Sequence, residues 1–225
     1  MKGLVSVGLF LGAGLLSTAP AFATSAETYR QQGLSYREQE RYPEAIAALE
    51  QAVALEPTNL SGKVLLGWTL HKAEQNAAAA DTLLQALQLN PFNVQTLNAL
   101  GIVYLIEGQL TAAIAAHAWA ATLQPTNEIP SYNLSLAFER MGQYNFAIAT
   151  AKTAARLEPT NPHPLVALAI AHWGNGEKAL AQQAYRQALS VDPRYSDAAF
   201  LNYLDEAGFS QDQIGRSQMV LRNLR

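Results

Sequence analysis

Five prolines, Pro57, Pro91, Pro125, Pro159 and Pro193, follow one another at a spacing of 34 residues with no insertion between them. Self-similarity at a fixed period of this size marks an array of one repeated supersecondary unit, and it has to be settled before length is read as a domain count. Three further columns keep the same register. Two are always alanine: Ala45, Ala79, Ala113, Ala147 and Ala181, then Ala52, Ala86, Ala120, Ala154 and Ala188. The third is always small: Gly33, Gly67, Gly101, Ser135 and Ala169. Four columns in register across five units exclude coincidence.

Each column has a physical task. Between 25 and 195 the apolar residues recur at helical spacing in two runs per unit, each about 14 residues long. The hydrophobic fraction of 49% rests largely on alanine, which loses no side-chain entropy in a helix. No Asn-Gly or Asp-Gly turn separates alternating strands, and Gly174-Asn175-Gly176 reads as the turn between two helices. The chain therefore reads as all-α. The small residue of each first helix and the first alanine of each second helix allow two backbones to cross closely. The second alanine faces the next unit. Each proline ends a second helix, because it lacks an N–H and clashes with the preceding turn. Asn59, Asn93, Asn127 and Asn161 stand two residues beyond a proline, placed to cap the next helix.

On these columns the chain resembles the tetratricopeptide repeat family. The first unit carries Gly33, Tyr36, Ala45, Leu49, Ala52 and Pro57, and the third carries Leu100-Gly101, Tyr104, Ala113, His117, Ala120 and Pro125. The fourth departs with Ser135, and the fifth with Ala169 and His172. The resemblance implies a right-handed α-solenoid of five helical hairpins, 26–59, 60–93, 94–127, 128–161 and 162–195. Ser196–Ala207 reads as one more first helix, broken by Gly208. Gln211–Leu224 then forms an amphipathic helix with Ile214, Val220, Leu221 and Leu224 on one side. Together, 196–225 is expected to be a polar pair of helices capping the stack.

The chain opens with Met1-Lys2, an apolar run from Gly3 to Leu16, and Ala21-Phe22-Ala23 before a polar stretch. That order is the one of a secretory signal peptide, here 1–23, and the apolar run is shorter than the roughly 20 residues a membrane span needs. The expectation is export by the general secretory route, cleavage near Ala23, and a periplasmic, lumenal or extracellular protein beginning near Thr24. The formal charge of −3 comes without a basic stripe, which argues against nucleic acid as a partner, and the membrane is met only through partners. There is no cysteine, so disulfides and thiolate metal sites are excluded.

The resemblance further implies that the first helices line a concave groove. Its positions fall on Arg30, Leu34 and Arg37 in the first unit; Val64, Trp68 and His71 in the second; Asn98, Ile102 and Leu105 in the third. The fourth unit contributes Tyr132, Leu136 and Glu139, and the fifth Val166, Ile170 and Trp173. Asn98 and Asn133 hint at the family's carboxylate clamp, yet no Lys or Arg accompanies them. An apolar segment or amphipathic helix of another protein is the expected ligand. On the opposite face, Leu110–Leu123 carries no charge and exposes Trp119. That helix either contacts another surface, a second copy included, or lays Trp119 over Ala115 and Ala116.

His71, His117, His163 and His172 lie in different helices, none with a ligand partner at i+3 or i+4, and no nucleophile elbow or phosphate loop occurs. His117 falls at a hairpin core position. The reading needs no catalytic residue, metal or cofactor. It is an exported scaffold that binds a protein segment during assembly of a bacterial envelope complex. The alternative is a structural subunit held through its neutral convex face.

Overall fold

A computed structural model describes residues 25–224, and the expected signal peptide lies outside them. The described residues are all helical, without strands. Ten α-helices pair into five hairpins. They are α1 (Ala26–Glu38) with α2 (Tyr42–Leu55), α3 (Leu60–Lys72) with α4 (Asn76–Leu89), and α5 (Val94–Ile106) with α6 (Leu110–Leu123). The last two are α7 (Glu128–Arg140) with α8 (Tyr144–Leu157) and α9 (His163–Gly174) with α10 (Lys178–Val191). Each second helix packs on the first helix of the next unit. The first helices α3, α5, α7 and α9 also touch in succession, whereas successive second helices barely meet, so the solenoid curves with its first helices inside.

The columns do what their chemistry allows. Asn59 accepts from the Gly62 N–H at 2.9 Å, Asn93 from Thr96 at 2.8 Å, Asn127 from Ile129 at 3.0 Å and Asn161 from His163 at 3.0 Å. Both alanine columns are at most 1% exposed. A Cβ at Gly33 or Gly67 would stand 2.6 or 2.7 Å from the Leu49 or Leu83 Cγ, far inside contact distance. At Gly101 the neighbour is the His117 ring instead. A fifth column appears only in the turns. Glu40, Glu74, Gly108, Gly142 and Gly176 all have positive φ, between 58° and 80°. Three of the five are glycine, which takes that conformation without strain, while the two glutamates each carry a cost.

The C-terminal region departs from expectation. Ser196–Ala207 is not a further first helix: Pro193–Ser196 and Phe200–Ala207 are 3₁₀ turns. Gly208, at φ +83°, then reverses the chain into α11 (Gln211–Arg222). A Ser210–Gln213 capping box starts α11, which packs on α9 and α10. Ile214 and Val220 enter the core, and Leu221 and Leu224 pack against it. Its far end is tied to the last hairpin, where Gln182 donates to the Asn223 carbonyl at 2.6 Å and Arg186 to that of Leu224 at 2.9 Å. Its near end reaches back to α7, inside the curve. The segment thus covers the last hairpin and also fills the end of the concave face.

Candidate functional site

One position of the first helices repeats as Leu34, Trp68, Ile102, Leu136 and Ile170. The first three are partly exposed, and the last two are completely buried. The C-terminal segment makes the difference. The Tyr132 hydroxyl donates to the Ala207 carbonyl at 2.6 Å, and its ring lies 6.2 Å from that of Phe209. Gly208 sits over Leu136 and Leu105. Gln213, fully buried, donates to the Leu136 carbonyl at 3.1 Å and to Glu139 Oε2 at 2.8 Å, while its own oxygen accepts from the Ser210 N–H at 3.0 Å. Arg216 Nη1 lies 2.6 Å from Glu139 Oε1 and pairs its charge. Burial raises the Glu139 pKa, opposed chiefly by the Arg216 charge.

Leu136, Val166 and Ile170 therefore do not line an accessible groove. They belong to one core with Ile214 and Val220, because the chain's own last helix occupies the space a partner would need. Trp173 is drawn to its own hairpin, with Lys178 Nζ 3.7 Å above its ring centre. Arg30 is engaged by Glu56 at 2.6 Å and Glu27 at 2.7 Å, and Arg37 closes the last turn of α1.

The remaining positions come together. Trp68, His71, Ile102, Tyr132 and Asn133 line a cavity of about 360 Å³, walled on one side by Asp205, Glu206, Ala207 and Gly208. Trp68 meets His71 edge-on with centroids 5.8 Å apart, and His71 Nδ1 is 2.8 Å from Asn76 Oδ1, which fixes both rings. Through Trp68 and Ile129 the cavity opens into a cleft lined by Val64, Leu65, Val94 and Asn98, with no ionisable side chain. Asn98 is only 7% exposed, and its Oδ1 has no hydrogen-bond partner. The acidic wall was not foreseen. The amphipathic pattern of the last helix shows that it must bury a face, but nothing in that pattern shows which surface receives it.

On the outer face Trp119 is 50% exposed and stacks on Phe92 from the α4–α5 loop, with centroids 6.2 Å apart. His117 is fully buried in the third hairpin, and desolvation lowers its pKa to about 4. Among the described residues no group of three His, Asp or Glu side chains could hold a metal, and no helix is long and apolar enough to cross a membrane.

Sequence profiles of the tetratricopeptide repeat family match residues 30–94 and 166–209, and a second profile of the same description matches 82–115. Together they cover more than half of the chain. The protein belongs to the tetratricopeptide repeat family. Such repeats typically serve as protein-interaction scaffolds. Among solved structures, the chain is similar to a MamA protein at 21% identity and a TM-score of 0.68, over 76% of this chain and 93% of that one. MamA from Desulfovibrio magneticus RS-1 gives 18%, 0.71, and 76% and 98% coverage. YrrB, described as a TPR protein with an unusual peptide-binding site, gives 15%, 0.63, and 76% and 88%. At these identities the likeness concerns the fold. No curated protein matches the sequence significantly.

Proposed function

We propose that this tetratricopeptide repeat protein is an exported, non-catalytic scaffold that holds a segment of another protein in the open part of its concave face. The observation that carries the reading is the run of Trp68, Ile102 and Tyr132 along successive first helices, partly exposed around an open cavity. Partly exposed aromatic side chains on rigid helices lose little entropy when a partner binds, and such residues dominate interface energetics. YrrB, of similar fold, is described as having a peptide-binding site, which supports the same use here. Export rests on the N-terminal sequence alone. Service in assembling an envelope complex is the setting in which an exported scaffold of this kind would work.

The test is affinity capture from envelope extract with the purified protein and a Trp68→Ala/Ile102→Ala variant. The expected result is a partner held by the parent and lost by the variant, with helicity unchanged. N-terminal sequencing after secretion should begin at Thr24. A second reading is favoured by the exposed Phe92–Trp119 stack: permanent attachment through the outer face. It predicts that Phe92→Ala/Trp119→Ala loses the partner while the groove variant keeps it.

A further inference from the structure

The open concave face changes character along its length. The cleft has no ionisable lining: Val64, Leu65, Trp68, Val94 and Ile129 offer contact to apolar side chains, beside an equal number of neutral polar residues. The adjoining cavity has an aromatic and aliphatic floor, Trp68, Ile102 and Tyr132, but its walls carry Glu128, Asp205 and Glu206 against the single lysine Lys72. None of these three carboxylates is in an ion pair among the described residues. Carboxylates beside a concave apolar floor attract a cation more strongly than they would on a flat surface, because low-dielectric walls focus the field.

A second observation points the same way. Asn98, on the cleft wall beside Trp68, is buried to all but 7% of its surface, yet its Oδ1 accepts no hydrogen bond. A buried orphan acceptor is costly, and its terminal torsion is broad enough for the oxygen to turn toward a donor in the cleft. The cleft thus holds one unpartnered acceptor, and the adjoining cavity three carboxylates against one lysine. Trp173 and Lys178 show the matching chemistry within this fold, with the ammonium 3.7 Å above the indole.

We propose that the bound segment lays apolar side chains along Val64, Trp68 and Ile102 and inserts one Lys or Arg side chain into the cavity, where Asp205 and Glu206 of the C-terminal segment hold its charge. This rests on the groove reading above and specifies the partner's chemistry. The C-terminal segment then closes one end of the concave face and also supplies the wall that selects what binds in the remainder.

The test uses three fluorescein-labelled 12-residue peptides of leucine and alanine, alike except for one Arg, Gln or Glu at the unlabelled end, titrated against the full-length protein. The expected order is Arg over Gln over Glu. The Arg peptide should bind about tenfold tighter than the Gln peptide in low salt, with the gap narrowing as salt rises. Asp205→Asn/Glu206→Gln, at two exposed positions, should erase that gap and leave the Gln peptide within about twofold of its parent affinity. Equal binding of the Arg and Gln peptides, lost together in Trp68→Ala/Ile102→Ala, would overturn the acidic pocket and leave the groove standing. An Arg preference that survives Asp205→Asn/Glu206→Gln would also overturn it. Failure of all three peptides to bind would overturn both readings.

Discussion

Ile102 and Ile170 hold the same place in the third and fifth units, on first helices of the same length class and beside the same small-residue column. Ile102 remains partly exposed in an open cavity, while Ile170 is completely buried in a core shared with Ile214 and Val220 of α11. Equivalent residues of a solenoid can thus belong to a binding surface at one end and to the core at the other. The repeat decides that such a residue faces inward. What covers it is decided by sequence outside the repeat.

This contrast can be broken most severely from α11. Val220→Asp places a carboxylate at a position with no exposed surface, and it should cost about 4 kcal/mol in urea melts, with α11 losing amide protection first. Ile170→Ala should cost about 3 kcal/mol, because it leaves a cavity in packed surroundings. The same truncation at Ile102 should cost less than about 1 kcal/mol, and it should weaken partner capture, which Ile170→Ala leaves intact. Equal stability losses at the two sites would remove the distinction.

A smaller effect concerns the charge that joins α11 to α7. Arg216→Ala leaves the buried Glu139 carboxylate without its ion-pair partner, with only the more distant Arg140 charge beside it, and should cost about 2 kcal/mol near neutral pH. Burial holds the Glu139 pKa above its ordinary value, so its protonated form is favoured in the folded state. The Arg216→Ala deficit should therefore shrink as pH falls through that raised pKa. Adding Glu139→Gln should recover most of the loss at neutral pH, since the amide oxygen still accepts from Gln213.

On the open side, the buried group with the largest pH effect is His117. It occupies the core position filled by Leu49 and Leu83 in the first two units and Tyr185 in the fifth. Desolvation lowers its pKa to about 4, so the folded state excludes a proton that the unfolded chain accepts below its ordinary value. Stability present above about pH 6.5 is therefore lost as pH falls toward 4, to a limit of about 3 kcal/mol. His117→Leu should flatten that part of the profile. Least of all, Glu74→Gly should stabilise the second turn by about 0.5 kcal/mol, by relieving a non-glycine left-handed residue against the added chain entropy.

Much of this architecture was legible in advance because each repeat column answers a local constraint. Pro57 and its successors stop helices, Asn59 and its successors cap them, and Gly33, Gly67 and Gly101 face side chains that leave no room for a Cβ. The left-handed turn column was also readable at Gly108, Gly142 and Gly176, but Glu40 and Glu74 disguise it in the first two units. The site was less legible. The inward positions Trp68, Ile102 and Tyr132 could be named, whereas the closure over Leu136, Val166 and Ile170 could not. It depends on a reversal at Gly208 and on Gln213 and Arg216 meeting α7 groups more than 70 residues away in the chain. No periodic signal encodes such a contact.

One half of the concave face is open, and the other is sealed by α11. The chain contains no cysteine, so single cysteines at Ile102 and Ile170 can be compared directly by maleimide labelling of the folded protein. Modification should be rapid at 102 and roughly 100-fold slower at 170, where reaction must wait for α11 to open. Equal rates at the two positions would contradict that seal.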